Sequence, residues 1–224
     1  MAKNVIKYLF ILLLIPLIVI FGALMFPERG FALISCALII LACVPFFLSF
    51  EHKKTTRRIV LLAVMTALSV AGRFIFAPIP FFKPVTAIVV ISGMYFGAEF
   101  GFLTGALSSV ISNFYFGQGA WTPFQMFSWG IIGFFAGLLS NQLIRSRIIL
   151  ILYSALAGVA YSFIMDVWTV MWMDGYFNIT RFSAAVITAL PITVEYIVSN
   201  VIFILILAPL FKNKIERLKT KYGI

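Results

Sequence analysis

RFIFAPIPFFKP, residues 73–84, opens a stretch that continues through two short glycine-punctuated apolar runs, then GQGAWTP (117–123) and FQMFSWGIIGFFAG (124–137). Loops rich in Pro, Gly, Trp and Gln lie directly against hydrophobic segments. A membrane-spanning helix needs about 20 apolar residues, yet residues 85–116 must hold two crossings. Irregular backbone at membrane depth is tolerated only where protein or a water-filled cavity receives it. Short spans interrupted by Gly and Pro point to a transport site. The stretch therefore reads as the wall and lid of a small-molecule pocket.

Composition sets the class around it. The chain of 224 residues is 63% hydrophobic and only 11% charged, where a soluble domain carries about 25% charge. An all-α, polytopic membrane helix bundle is expected. Its apolar runs suggest about eight spans, near 8–26, 31–50, 59–76, 85–96, 102–116, 123–143, 149–173 and 182–211. They divide into an N-terminal transmembrane hairpin (1–50) and a six-helix substrate-binding core with a basic tail (51–224). Cys36 and Cys43 sit about two helical turns, roughly 10 Å, apart in one run, too far for a disulfide. With the N-terminus inside, the outer loops hold only Arg29, Arg73, Lys83 and Arg181, and the other thirteen of 17 basic residues lie inside. That bias predicts a multi-pass protein of the cell membrane with both termini cytoplasmic. The net charge of +10 is thus spent on orientation and anionic lipid of the bilayer, and nucleic acid is not an expected partner.

The only histidine, His52, lies in the charge run EHKKTTRR (51–58). A Ser/His or Cys/His dyad or an HExxH zinc site would need a histidine elsewhere, and no GxxxxGK[ST] phosphate loop is present. Neither an enzyme, a metal site nor a cofactor is expected. Glu99, in a short turn, reads as solvated.

The third span, IVLLAVMTALSVAGRF (59–74), repeats Ala63, Ala67 and Ala71 at four-residue spacing. They share one helix face, a flat stripe where another helix can come close. Six core helices, this stripe, and short second and third helices together resemble the S components of energy-coupling factor (ECF) transporters. The resemblance covers about residues 57–211, and the 1–50 hairpin is an addition to that pattern. It implies a substrate-binding subunit that takes a vitamin-like small molecule from outside. It also implies a transmembrane coupling subunit docked on Ala63, Ala67 and Ala71, and two cytoplasmic ATPases. The pocket would be capped by the loop APIPFFKP (77–84).

The polar residues set among the core spans supply the expected lining: Arg73, Lys83, Asn113, Gln118, Trp121, Gln125, Trp129, Tyr161, Asp166, Trp168, Trp172 and Glu195. Asp166 and Glu195 are acids within apolar runs, and such acids are expected to pair with a cation or face a wet cavity. Arg73, Lys83 and Arg181 are the candidate partners, and Pro191 is expected to kink the helix beside Glu195. Tryptophans, amides and both charge signs, without a dense cationic cluster, suit a large, flat, amide-bearing or heterocyclic molecule. The pattern of Arg73, Ile79-Pro80, Lys83-Pro84 and GQGxWTPxQM (117–126) looks most like the cobalamin-type S components. Cobalamin or a corrinoid is therefore the first expectation, ahead of another heterocyclic vitamin or a queuosine-like base. A histidine-free intramembrane enzyme and a purely structural membrane protein are the rival classes.

Overall fold

The computed structural model describes residues 56–222. The expected hairpin of residues 1–50, with Cys36 and Cys43, lies outside them. The described chain folds into α1 (Thr56–Ile75), α2 (Val85–Phe96), α3 (Ala98–Phe116), α4 (Thr122–Leu138), α5 (Ser140–Arg145), α6 (Arg147–Asp174) and α7 (Ile179–Tyr222). Helices α1, α6 and α7 are long and apolar enough to cross a membrane.

Helix α2 is the centre of the bundle. At 12 residues it is about 18 Å long, well short of the roughly 30 Å hydrocarbon layer. Every residue from Val85 to Met94 is buried, which explains why the segment is apolar on all sides. It is a short internal helix wrapped by longer ones. A single residue, Gly97 at φ 101°, turns the chain into α3, a conformation that only glycine adopts without strain. Glu99, expected to be solvated, is 8% exposed, because the first turn of α3, unlike the half-buried Gly97 turn before it, is already covered by the bundle.

Glycines bring α2, α3 and α4 into backbone contact. A Cβ added at Gly93 or Gly101 would strike the Gly133 carbonyl, and one at Gly105 would strike the backbone of Trp129. Without side chains in the way, dispersion contacts act between the helix backbones themselves. Gly133→Val is therefore expected to destabilise the fold by about 3 kcal/mol, the upper end of overpacking effects. Thermal unfolding in detergent checks this, and an unchanged midpoint would contradict the close packing.

Two boundaries differ from the sequence reading. The expected span 123–143 is divided, because α4 ends at Leu138 and the short α5 follows. Extended backbone at Ser146 then starts α6, where the Ser146 hydroxyl oxygen accepts the Ile149 N–H at 3.3 Å. The last span is longer than expected, running unbroken for 44 residues through Pro191 and Pro209. At about 66 Å it exceeds the bilayer core. Each proline removes one hydrogen bond from the helix, which packs along α6. Asn178 caps its start, its side-chain oxygen accepting the N–H groups of Thr180 and Arg181.

Candidate functional site

Arg73, in the last turn of α1, is the anchor of the site. Its guanidinium donates to the Ser112 hydroxyl and to the Asn113 side-chain oxygen, the latter at 2.7 Å. The Asn113 amide donates in turn to Thr122 at 2.9 Å and to Gln125 at 2.8 Å. Gln125 then donates to the Tyr161 hydroxyl at 3.0 Å. One polar chain thus ties α1, α3, α4 and α6 together through buried groups, each oriented by the last. The Arg73 guanidinium also lies over the Phe116 ring (4.6 Å) and the Trp129 ring (5.3 Å). No carboxylate pairs with it among the described residues. Aromatic faces, a hydroxyl and one amide oxygen hold the charge in place and leave its electrostatic demand open to a ligand.

A cavity of about 340 Å³ opens beside this network. Arg73 and Phe116 line it together with Gln125, Trp129 and Tyr161, which touch one another, while Tyr196 and Asn200 come from α7 and Ala77, Phe81 and Lys83 from the loop. The walls are flat. Trp129 stacks on Tyr161 at 5.1 Å and 21°, and Tyr196 meets Tyr161 edge-on at 5.1 Å.

The loop 76–84 closes over the cavity by identifiable contacts. The Lys83 N–H donates to the Ser199 oxygen at 2.9 Å, and the Ser199 hydroxyl donates back to the Lys83 carbonyl at 3.1 Å. Phe76 and Phe82 pack on Phe203 of α7. Phe81 adopts φ 53°, an uncommon conformation for a bulky residue, and sets its ring edge-on to Tyr196 at 5.7 Å. The Lys83 ammonium donates to the carbonyls of Phe76 and Ile79 at 3.1 and 2.8 Å. Burial, and then the nearby Arg73 charge, hold that ammonium below the ordinary lysine range.

Of the twelve lining residues expected from the sequence, the cavity gathers Arg73, Lys83, Gln125, Trp129 and Tyr161. Asn113 lies behind them as the connector between Arg73 and Gln125. The others fall elsewhere. Gln118 is exposed and bonds the Val110 carbonyl and Thr122. Trp121 packs edge-on to Trp168, which stacks on the half-exposed Trp172. Asp166 is half-buried with one oxygen lacking a partner, as does the Trp168 indole N–H. Glu195 is exposed, beside an outer groove lined by Ile79, Pro80 and Phe82. Neither acid pairs with the expected cations, because Arg181 bonds Asp174 at 2.6 Å and Lys83 bonds loop carbonyls. Sequence reading missed Phe81, Phe116, Tyr196 and Asn200. Helical phase carried a usable hint, since Tyr196 and Asn200 are four apart and share a face that Glu195 does not.

Ala63, Ala67 and Ala71 are exposed and share a shallow groove with Val70, Phe74, Leu107 and Ile111. No described helix covers them. Against this geometry, a sequence model described as the ECF-type riboflavin transporter, S component, matches residues 53–217. The chain belongs to that family. No solved structure matches it. As an S component the protein is a substrate-binding subunit of a vitamin transporter, lies in the membrane, and works with coupling and ATPase modules rather than as an enzyme. The cobalamin expectation finds no support in the family description, which names riboflavin.

Proposed function

We propose that this S component captures riboflavin, or a close flavin, in the cavity beneath loop 76–84 and presents it for import. The observation that carries this reading is the cavity itself: about 340 Å³, flat-walled, with an arginine unpaired by any acid at its edge. That volume is at the small end of ligand pockets, which run from about 300 to 1,000 Å³, and a corrinoid is too large for it. A three-ring flavin lays its flat body against the aromatic wall made by Tyr196 and the Trp129–Tyr161 stack, and offers carbonyl oxygens that Arg73 and Lys83 can donate to. Its ribityl hydroxyls suit the amides of Gln125 and Asn200.

The rest of the cycle rests on the excess of basic residues toward one end of the bundle. Loop 76–84 faces outward and the basic C-terminal end lies in the cytoplasm, so the mouth meets substrate before the coupling machinery does. The coupling subunit docks along Ala63, Ala67 and Ala71, and two separate cytoplasmic ATPases supply the energy. Mass spectrometry of small molecules released from the purified protein tests the ligand. Riboflavin at near-equal molar ratio is expected, whereas a corrinoid, a queuosine-like base or nothing at all would contradict the assignment.

Phe81 forms part of the roof, so Phe81→Ala is expected to speed ligand release about tenfold and to leave association within threefold. Stopped-flow exchange measures both rates. Equal release rates in the two proteins would remove Phe81 from the roof.

A further inference from the structure

A second cavity, of about 280 Å³, opens at the other end of the bundle between the end of α2, α5, the start of α6 and α7. The substrate cavity touches α2 at Val85 and Thr86, whereas this one touches it at Met94 and Tyr95, about 14 Å further along the helix. Its inner wall is apolar and fully packed, with Leu143, Leu150 and Ile204 all buried. Its mouth carries two exposed cations, Arg147 at the first turn of α6 and Lys212 on α7. No acid lines the cavity. Neither cation has an ion pair or hydrogen bond among the described residues; the nearest acid, Glu216, one turn beyond Lys212, lines another groove and lies close enough to Tyr95 of this wall for its charge to be felt there.

A greasy recess with two unpaired cations at its rim matches a molecule with an anionic head and an apolar body. The surrounding basic residues, Arg145, Lys214 and Arg217, place this rim at the level where a helix leaves the bilayer. Basic pockets between helices at that level recognise acidic lipid head groups. We propose that the cavity binds one anionic phospholipid. Arg147 and Lys212 hold its phosphate, and the glycerol and upper acyl segments lie against Leu143, Leu150 and Ile204.

The test is native mass spectrometry of the full chain, exchanged from mild detergent into micelles holding phosphatidylglycerol or phosphatidylcholine. One phosphatidylglycerol is expected to stay bound in preference to phosphatidylcholine. The Arg147→Gln/Lys212→Gln double variant should lower its retention tenfold or more, at about 1 kcal/mol per basic contact. The Lys214→Gln/Arg217→Gln variant, which removes equal charge from outside the cavity, should change it less than twofold. Ile144→Trp, which fills the mouth from an exposed position, should also expel the lipid. It serves as the second variant should the double variant fail to fold, which thermal unfolding monitors. Equal losses in the two double variants, equal retention of both lipids, displacement by inorganic phosphate alone, or a retained peptide in place of lipid would each overturn the proposal.

Discussion

Arg73→Ala is expected to weaken ligand capture by two orders of magnitude or more, the largest effect of any single change in the cavity. Losing a desolvated, hydrogen-bonded charge partner costs about 2–5 kcal/mol of binding. Here the loss extends beyond one contact, because Arg73 orients Asn113, which orients Gln125, which reaches Tyr161. Arg73→Lys keeps the charge but loses both the planar fork and the stacking on Phe116 and Trp129. It should fall between wild type and Arg73→Ala. Equilibrium titration in detergent, with thermal unfolding run in parallel, separates binding from folding. Binding within threefold of wild type in a folded Arg73→Ala protein would remove Arg73 from the site.

Ala67→Trp is expected to reduce uptake to background while leaving ligand affinity within twofold. Ala67 is exposed on α1 and sits mid-groove with Val70, Phe74, Leu107 and Ile111. An indole there would hold a partner helix several ångströms away, and close approach is what a small-residue stripe supplies. The substrate cavity shares no residue with this groove, so capture should survive. Vesicle uptake with the coupling subunit and ATPases present, set beside binding to the isolated subunit, reads the two effects separately. Normal uptake by Ala67→Trp would mean that the coupling subunit docks elsewhere.

Much of this was legible in the sequence, and the gaps have physical causes. Hydrophobic run length and charge asymmetry are properties of segments, so the helical membrane class could be read without coordinates. The stripe of Ala63, Ala67 and Ala71 could be read because helical periodicity fixes which residues share a face. The cavity was harder. Arg73, Lys83, Gln125, Trp129 and Tyr161 were recognisable as polar or amphipathic groups in apolar surroundings. Trp168 and Trp172 looked equivalent by composition, yet stack on each other away from the cavity. Glu195 looked buried because its neighbours are apolar. Its helix face, however, points outward, and only the packing of α7 against α6 decides that rotation. Phe81 joined the lining through one left-handed backbone angle, which no propensity of phenylalanine foretells. Glu99 showed the converse, a charge at a turn that packing carries inside.

A filled interior would have favoured a purely structural membrane protein, and the open space behind Trp129 and Tyr161 argues against that rival. The most direct measurement is therefore riboflavin titration of the purified chain alone, without ATP or partner subunits, followed by flavin fluorescence. One site per chain is expected, with emission quenched by the neighbouring Trp129 and Tyr161 rings and much of that quenching lost in Trp129→Leu. Absence of saturable binding, or affinity indifferent to both Arg73→Ala and Trp129→Leu, would contradict the account.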